Sequence, residues 1–237
     1  MKSKVLIIIP AYNEETNIGK TIDDIISSGI KASILVINDG SADKTAQKVL
    51  EKGVCLVSLP YNLGIGGAVQ TGFRYAYKNY YDIVVQIDGD YQHDAQYLEQ
   101  IIAPIDKENV DMTIGSRFLP PFSNYQSSLA RRFGIRFFAG LISFLIQEKA
   151  TDPTSGYRAF NQKLIKVFAE YYPHDFPEPE AILIAKRYES RIKEIPVQMR
   201  ERFSGQSSIR YFKTIYYMIK VTLAILLDKL KQRKDLA

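Results

Sequence analysis

Two carboxylates stand two residues apart in Asp88-Gly89-Asp90-Tyr91-Gln92-His93, directly after an apolar run at residues 82–87. At the end of a strand, such a pair can share one hard divalent cation, with Gln92 as a third oxygen donor. Mg²⁺ or Mn²⁺ in a site of this kind keeps waters and bridges to substrate phosphates instead of being caged by protein. The chemistry suited to it is neutralisation of a leaving nucleoside diphosphate as a sugar bond breaks. The plainer alternative, an Asp-Gly turn with solvated charges, weakens once the neighbouring loops are considered. Pro10-Ala11-Tyr12-Asn13-Glu14-Glu15, Asn38-Asp39-Gly40-Ser41-Ala42-Asp43 and Asn62-Leu63-Gly64-Ile65-Gly66-Gly67 also follow apolar runs. Asp39 reads either as a hydrogen-bond partner for a base or ribose, or as an Asx-turn before a helix. The glycines at 64, 66 and 67 lack the Lys-Ser/Thr of a Walker loop and the spacing of a dinucleotide fingerprint. They read as tight turns and close packing.

The elements that must position these loops alternate two periodicities. Residues 4–9, 34–37, 54–59, 82–87 and 112–115 read as buried strands. Between them, apolar residues recur at helical spacing, as in Ile18, Ile22, Ile25 and Ile26. Strand and helix in alternation predict an α/β fold: a Rossmann-like, mostly parallel sheet with helices on both faces. Ligands of such sheets bind beyond the carboxyl ends of the strands, where all four polar loops fall. After residue 116 the rhythm breaks. A long helix at 129–146, a loop at 151–157, a short helix, a charged helix at 180–189 and a strand at 191–199 follow. A last helix spans 207–234. The expected organisation is one catalytic unit over 1–206 and a basic amphipathic helix over 207–237.

Composition excludes several classes. The chain has 237 residues, 46% hydrophobic and 24% charged, which is ordinary for a folded domain and not for a disordered one. Its net charge of +5 is mild, and the basic residues are dispersed until the last thirty positions, so nucleic acid is not an expected partner. A single cysteine, Cys55, rules out an intrachain disulfide and a cysteine-based zinc site. The run Val5-Leu6-Ile7-Ile8-Ile9 is too short for a signal segment. The longest apolar stretch, 215–227, contains Lys220 and falls short of the roughly 20 residues a spanning helix needs.

The four motifs together resemble the family 2 inverting glycosyltransferases of GT-A fold. They are most similar to the dolichyl-phosphate mannose synthase-like branch, which includes bacterial polyprenyl-phosphate glycosyltransferases. The similarity continues through Gly115-Ser116-Arg117, Asp152-Pro153-Thr154-Ser155-Gly156-Tyr157-Arg158 and Arg202-Phe203-Ser204-Gly205-Gln206-Ser207-Ser208. The resemblance implies metal-assisted transfer of a hexose from a nucleotide-diphosphate sugar, of UDP-glucose or GDP-mannose type, to polyprenyl phosphate, with Mg²⁺ or Mn²⁺ as cofactor. It implies that Pro10, Ala11, Tyr12, Glu14 and Asp39 hold the nucleotide, with Asp88 near the ribose and sugar. Asp90 and Gln92 would coordinate the metal, Arg117 and Arg131 would meet an acceptor phosphate, and Arg202 the donor diphosphate. Two positions depart from the branch: Tyr91 stands where Gly is common, and Asp94 where Pro is common.

Asp88, Asp90, Glu180 and Asp152 are the candidate catalytic carboxylates, with Glu178 beside Glu180. A hydroxyl acceptor needs a carboxylate to take its proton. A lipid phosphate is already an anion and needs arginines instead. The bland alternatives are acids at a helix N-terminus for Glu178 and Glu180, and an Asp-Pro turn for Asp152. His93 reads as a hydrogen-bonded neighbour of the ligands.

The 129–146 helix mixes apolar residues with Arg131, Arg132 and Arg136. The last helix carries a stripe of Phe212, Ile215, Ile219, Leu223, Leu226 and Leu230 flanked by lysines. Such faces either lie in a bilayer interface or pack on the sheet or on a second copy in a homodimer. A polyprenyl acceptor would require the first, at the cytoplasmic face of a membrane. Rival functions are the same donor chemistry on a saccharide hydroxyl during cell-surface polysaccharide assembly, a sugar nucleotidyltransferase, and a non-catalytic nucleotide-sugar sensor or membrane scaffold. Pro10-Ala11-Tyr12-Asn13 is not the Gly-rich, Arg-bearing loop of a nucleotidyltransferase, and the intact Asp88, Asp90 and Gln92 argue against a scaffold.

Overall fold

A computed structural model describes residues 3–122, 129–175, 177–200 and 222–223. Strand β1 (Val5–Ala11) is buried along its whole length, as a strand covered on both faces must be. Its alternate residues feed two apolar layers. Leu6 and Ile8 pack with Phe73, Leu164 and Ile184, whereas Ile7 and Ile9 pack with Ile18, Ile22 and Ile101. Helix α1 (Ile18–Ser27), β2 (Ser33–Asn38), α2 (Thr45–Glu51), β3 (Cys55–Ser58), α3 (Gly64–Lys78) and β4 (Ile83–Gln86) then follow in strict alternation. β3, β2, β1 and β4 lie side by side and parallel, so their carboxyl ends share one edge.

The remaining elements are α4 (Leu98–Lys107), β5 (Met112–Ser116), α5 (Leu129–Ile146), β6 (Arg158–Asn161), α6 (Gln162–Glu170), α7 (Pro177–Arg187) and β7 (Ile192–Pro196). The sheet order is β3-β2-β1-β4-β6-β5-β7. The mostly parallel sheet with apolar layers and helices on both faces is as expected.

One strand escaped sequence reading. β6 enters antiparallel between β4 and β5, pairing Gln86 with Arg158 and Ile114 with Arg158. Four residues beginning with a charged side chain give no period to detect, and Arg158 is fully buried. Helix α7 also starts at Pro177, three residues before the expected boundary, with proline placed where a helix needs no amide donor. Among the described residues no helix is long and apolar enough to cross a membrane. The helix expected over 207–234 lies outside the described residues except for Thr222 and Leu223, and Arg202 lies outside them entirely.

Candidate active site

The loops after β1 and β2 clasp each other. Asn13 donates its backbone N–H to Ser41 Oγ at 3.0 Å and accepts from the Ala42 N–H through Oδ1 at 2.9 Å. The Glu14 N–H donates to Thr45 Oγ1 at 2.8 Å, and Glu15 Oε2 accepts from the Lys44 N–H at 3.0 Å. Before α2, Asn38 Oδ1 accepts from the Ser41 N–H at 3.2 Å. Asp39 reaches further. Its two oxygens accept from the Leu63 and Gly64 N–H groups at 2.7 and 3.0 Å, placing a buried carboxylate at the α3 N-terminus. Tyr12, Tyr61 and Leu63 stay exposed around it. Helix α3 is pressed so closely on the segment before α7 that a Cβ on Gly66 would lie 2.2 Å from the Pro173 carbonyl oxygen.

Beyond β4 the acidic loop turns back on itself. The Asp88 N–H donates to His93 Nδ1 at 3.1 Å, and His93 Nε2 lies 3.7 Å from Asp88 Oδ2. The imidazole is stacked on Tyr157 with centroids 4.9 Å apart. Burial pushes its pKa down to about 4, against the opposing pull of Asp90. A neutral ring with Nδ1 accepting carries its proton on Nε2, facing Asp88, so neither nitrogen is offered to a metal. The Asp88 carboxylate lies against Gly156, where a Cβ would stand 2.8 Å from Oδ2. Asp90 Oδ1 accepts from the Gln92 N–H at 3.1 Å across Tyr91, whose φ is 66°.

Asp88, Asp90 and Gln92 present an all-oxygen donor set, which fits a hard divalent cation. Among the described residues no group of three or more His, Cys, Asp or Glu side chains converges to hold an ion. A cation held here would therefore draw on water and phosphate for its remaining ligands.

Two expected site residues have a different arrangement. Arg117 Nε and Nη2 donate to Asp152 Oδ2 and Oδ1, each at 2.6 Å, and Nη2 also reaches Thr154 Oγ1 at 2.9 Å. Arg117 is 4% exposed and Asp152 not at all. In this arrangement the two side chains are committed to each other and withdrawn from solvent. What the pair does is anchor the 152–156 loop. Glu194 on β7 completes the anchor, accepting from the Thr151 and Asp152 N–H groups at 2.8 and 3.0 Å. Arg131 is placed only as backbone of α5.

Arg158 holds the other side of that loop. Its guanidinium donates to the carbonyls of Ser155, Glu178 and Pro153 at 2.6, 2.6 and 2.8 Å, tying the loop to the start of α7. Glu178 stands at that helix end, within reach of the charges of Arg158 and Asp88. Its pKa is raised by burial, opposed by Arg158 and reinforced by Asp88. Glu180, which is buried, occupies the same first turn as the partly buried Glu178. Arg158, Glu194 and Gly156 were not identified from sequence as site residues. The one available signal was an arginine inside an otherwise apolar Tyr157–Phe160 stretch.

The model of glycosyl transferase family 2 matches residues 6–168. A UDP-N-acetylglucosamine–dolichyl-phosphate N-acetylglucosaminyltransferase of Methanococcus voltae is 29% identical, over 94% of this chain and 98% of its own. An undecaprenyl-phosphate mannosyltransferase of Micrococcus luteus is 28% identical over 87% of each chain. The structure of glucosyl-3-phosphoglycerate synthase from Mycobacterium tuberculosis, with Mn²⁺, UDP-glucose and phosphoglyceric acid, superposes with a TM-score of 0.73. It shares 19% identity over 98% of this chain and 81% of that one, a likeness of fold.

Proposed function

The chain belongs to glycosyl transferase family 2 and is a glycosyltransferase, and from that premise we propose that it moves a hexose, with inversion, from a nucleotide-diphosphate sugar to polyprenyl phosphate. The observation that carries this reading is the acidic loop at the end of β4. It is fixed by a neutral, buried His93 and by Gly156, beside the clasped loops of Tyr12 and Asp39. Relatives acting on dolichyl and undecaprenyl phosphate support the acceptor class.

Pro10, Ala11, Tyr12, Glu14 and Asp39 would hold the nucleotide, with Arg202 on the diphosphate. Asp90 and Gln92 would hold Mg²⁺ or Mn²⁺, and Asp88 would orient the ribose and sugar. When bound, the cation supplies positive charge to the departing diphosphate. An acceptor phosphate oxygen forms its bond to the anomeric carbon as the bond from that carbon to the β-phosphate oxygen breaks, and the electron pair leaves with the nucleoside diphosphate. No base is required, because the acceptor arrives as an anion. Partly buried Glu178, its pKa raised, supports a second reading, transfer to a saccharide hydroxyl whose proton that carboxylate would accept.

A lipid acceptor requires contact with a membrane surface. α5 supports it: Arg136, Phe137 and Phe144 are exposed, Phe144 by 71%, while Ile135, Phe138 and Ile142 are buried beneath. Sedimentation with anionic liposomes at low salt tests this contact, and protein left in the supernatant removes it.

A thermal-shift panel of UDP-glucose, UDP-N-acetylglucosamine and GDP-mannose, with and without Mn²⁺, tests the donor. Stabilisation grows with ligand concentration over dissociation constant. Radiolabelled donor should then give product extractable into organic solvent. Product confined to the aqueous phase supports the saccharide reading, and no transfer from any of the donors overturns both.

A further inference from the structure

Tyr91 and Asp94, on either side of Gln92 and His93, are gripped by one side chain. Arg200 Nη2 forms an ion pair with Asp94 Oδ1 at 2.9 Å, and its guanidinium lies 4.4 Å from the centroid of the Tyr91 ring. The same guanidinium makes a two-pronged contact with Asp24 on α1, at 2.7 and 2.9 Å. Asp24 also accepts from the Ala95 N–H at 2.9 Å, so it braces the far end of the same loop. The backbone joins in as well. The Arg200 N–H donates to the Gln92 carbonyl at 2.9 Å, and His93 bridges to Met199 in antiparallel fashion.

Tyr91 needs this restraint. Its φ of 66° is a left-handed conformation that glycine adopts freely and a tyrosine does not. The conformation matters because Tyr91 separates Asp90 from Gln92, and the direction of both oxygen donors follows from it. A guanidinium fork, held on one side by a carboxylate and stacked on the ring, can enforce such a conformation, whereas a point charge on a flexible stem cannot.

We propose that Arg200 is a positioning residue for the metal loop: by gripping Asp24, Asp94 and the Tyr91 ring together, it pre-sets the orientation of Asp90 and Gln92. The assignment rests on the proposed metal–diphosphate reading of that loop. In this chain an aspartate and an arginine hold the tyrosine in a conformation that a glycine would adopt unaided.

Calorimetric titration of the full chain with UDP, in Mn²⁺ and separately in EDTA, tests the idea through the metal-dependent part of the affinity. Arg200→Met should lower that part roughly tenfold, in the range seen when groups supporting metal ligands are removed. Affinity in EDTA should be unchanged. Adding Tyr91→Gly to Arg200→Met should restore part of the loss, since glycine accepts the backbone without help. Arg200→Lys, which keeps the charge and the fold but not the fork, should behave like Arg200→Met. A merely structural role would move binding in both buffers together and would not be rescued by glycine. A metal-dependent increment that survives in Arg200→Lys and Arg200→Met overturns the positioning role alone. If the unaltered chain binds UDP without any such increment, the metal reading itself fails and this inference falls with it.

Discussion

Arg117 faces Asp152 through two bonds of 2.6 Å, with both side chains withdrawn from solvent. Breaking such a pair leaves one buried charge without its partner. Asp152→Asn should therefore cost about 3–5 kcal/mol in denaturant unfolding, and Arg117→Lys should recover little, since lysine cannot make the fork. Arg117→Met combined with Asp152→Leu should cost less than the sum of Arg117→Met and Asp152→Leu made singly. Additive single costs would show that the two groups act independently.

Gly156 and Gly66 separate an effect on the site from an effect on the fold. A Cβ at 156 meets the Asp88 carboxylate, the end of a side chain that can swing aside, at 2.8 Å. A Cβ at 66 meets backbone, the Pro173 carbonyl, at 2.2 Å. Gly156→Ala should keep its melting temperature within a few degrees while losing most of its turnover. Gly66→Ala should unfold more easily by about 1–3 kcal/mol, as overpacked positions do. Normal turnover in Gly156→Ala would dissociate Asp88 from the reaction.

Glu178 gives a pH signature. Its pKa is raised by burial from 4.5, more than Arg158 lowers it. A carboxyl group raised in the folded state contributes stability that is fully present below the unfolded pKa and is lost as pH rises through the folded one. Glu178→Gln should thus gain stability over the unaltered protein as pH rises from 4.5 toward 8, read by melting temperature across that range. Transfer to a phosphate acceptor should survive the change. Loss of transfer to a saccharide hydroxyl, with transfer to phosphate intact, would identify Glu178 as the proton acceptor for a hydroxyl.

Gln86 sits on β4 two residues before Asp88, fully buried, and among the described residues neither its Nε2 nor its Oε1 has a hydrogen-bond partner. The hydroxyl of Tyr172, also buried, is in the same condition. An unsatisfied buried polar group costs about 1–3 kcal/mol. Gln86→Met, of similar volume, should be neutral or stabilising by about 1 kcal/mol in equilibrium unfolding. A loss of stability would mean that the amide is satisfied through buried water.

How far the site was legible depended on how far apart its parts lie in the chain. The acidic loop, the Tyr12 loop and Asp39 each announce themselves within six residues, because a largely apolar run followed by polar residues and Gly is a local signal. Arg200 and Asp24 are 176 residues apart and share no local pattern. Arg158 was quoted within a motif, yet nothing in Arg158-Ala159-Phe160-Asn161 told of a strand inserted antiparallel into the sheet.

The sequence alone therefore determined the class of fold, the edge on which the chemistry gathers and the oxygen-rich loop at its centre. These follow from period and from the rule that parallel strands deliver their loops to one side. The tertiary structure decided which charge meets which. It paired Arg117 with Asp152, brought Asp39 to the α3 N-terminus, and set Arg200 over Tyr91. Those pairings depend on sheet register and on where β6 and β7 enter, and hydrogen bonds 2.6–3.0 Å long are decided only once the strands are in place.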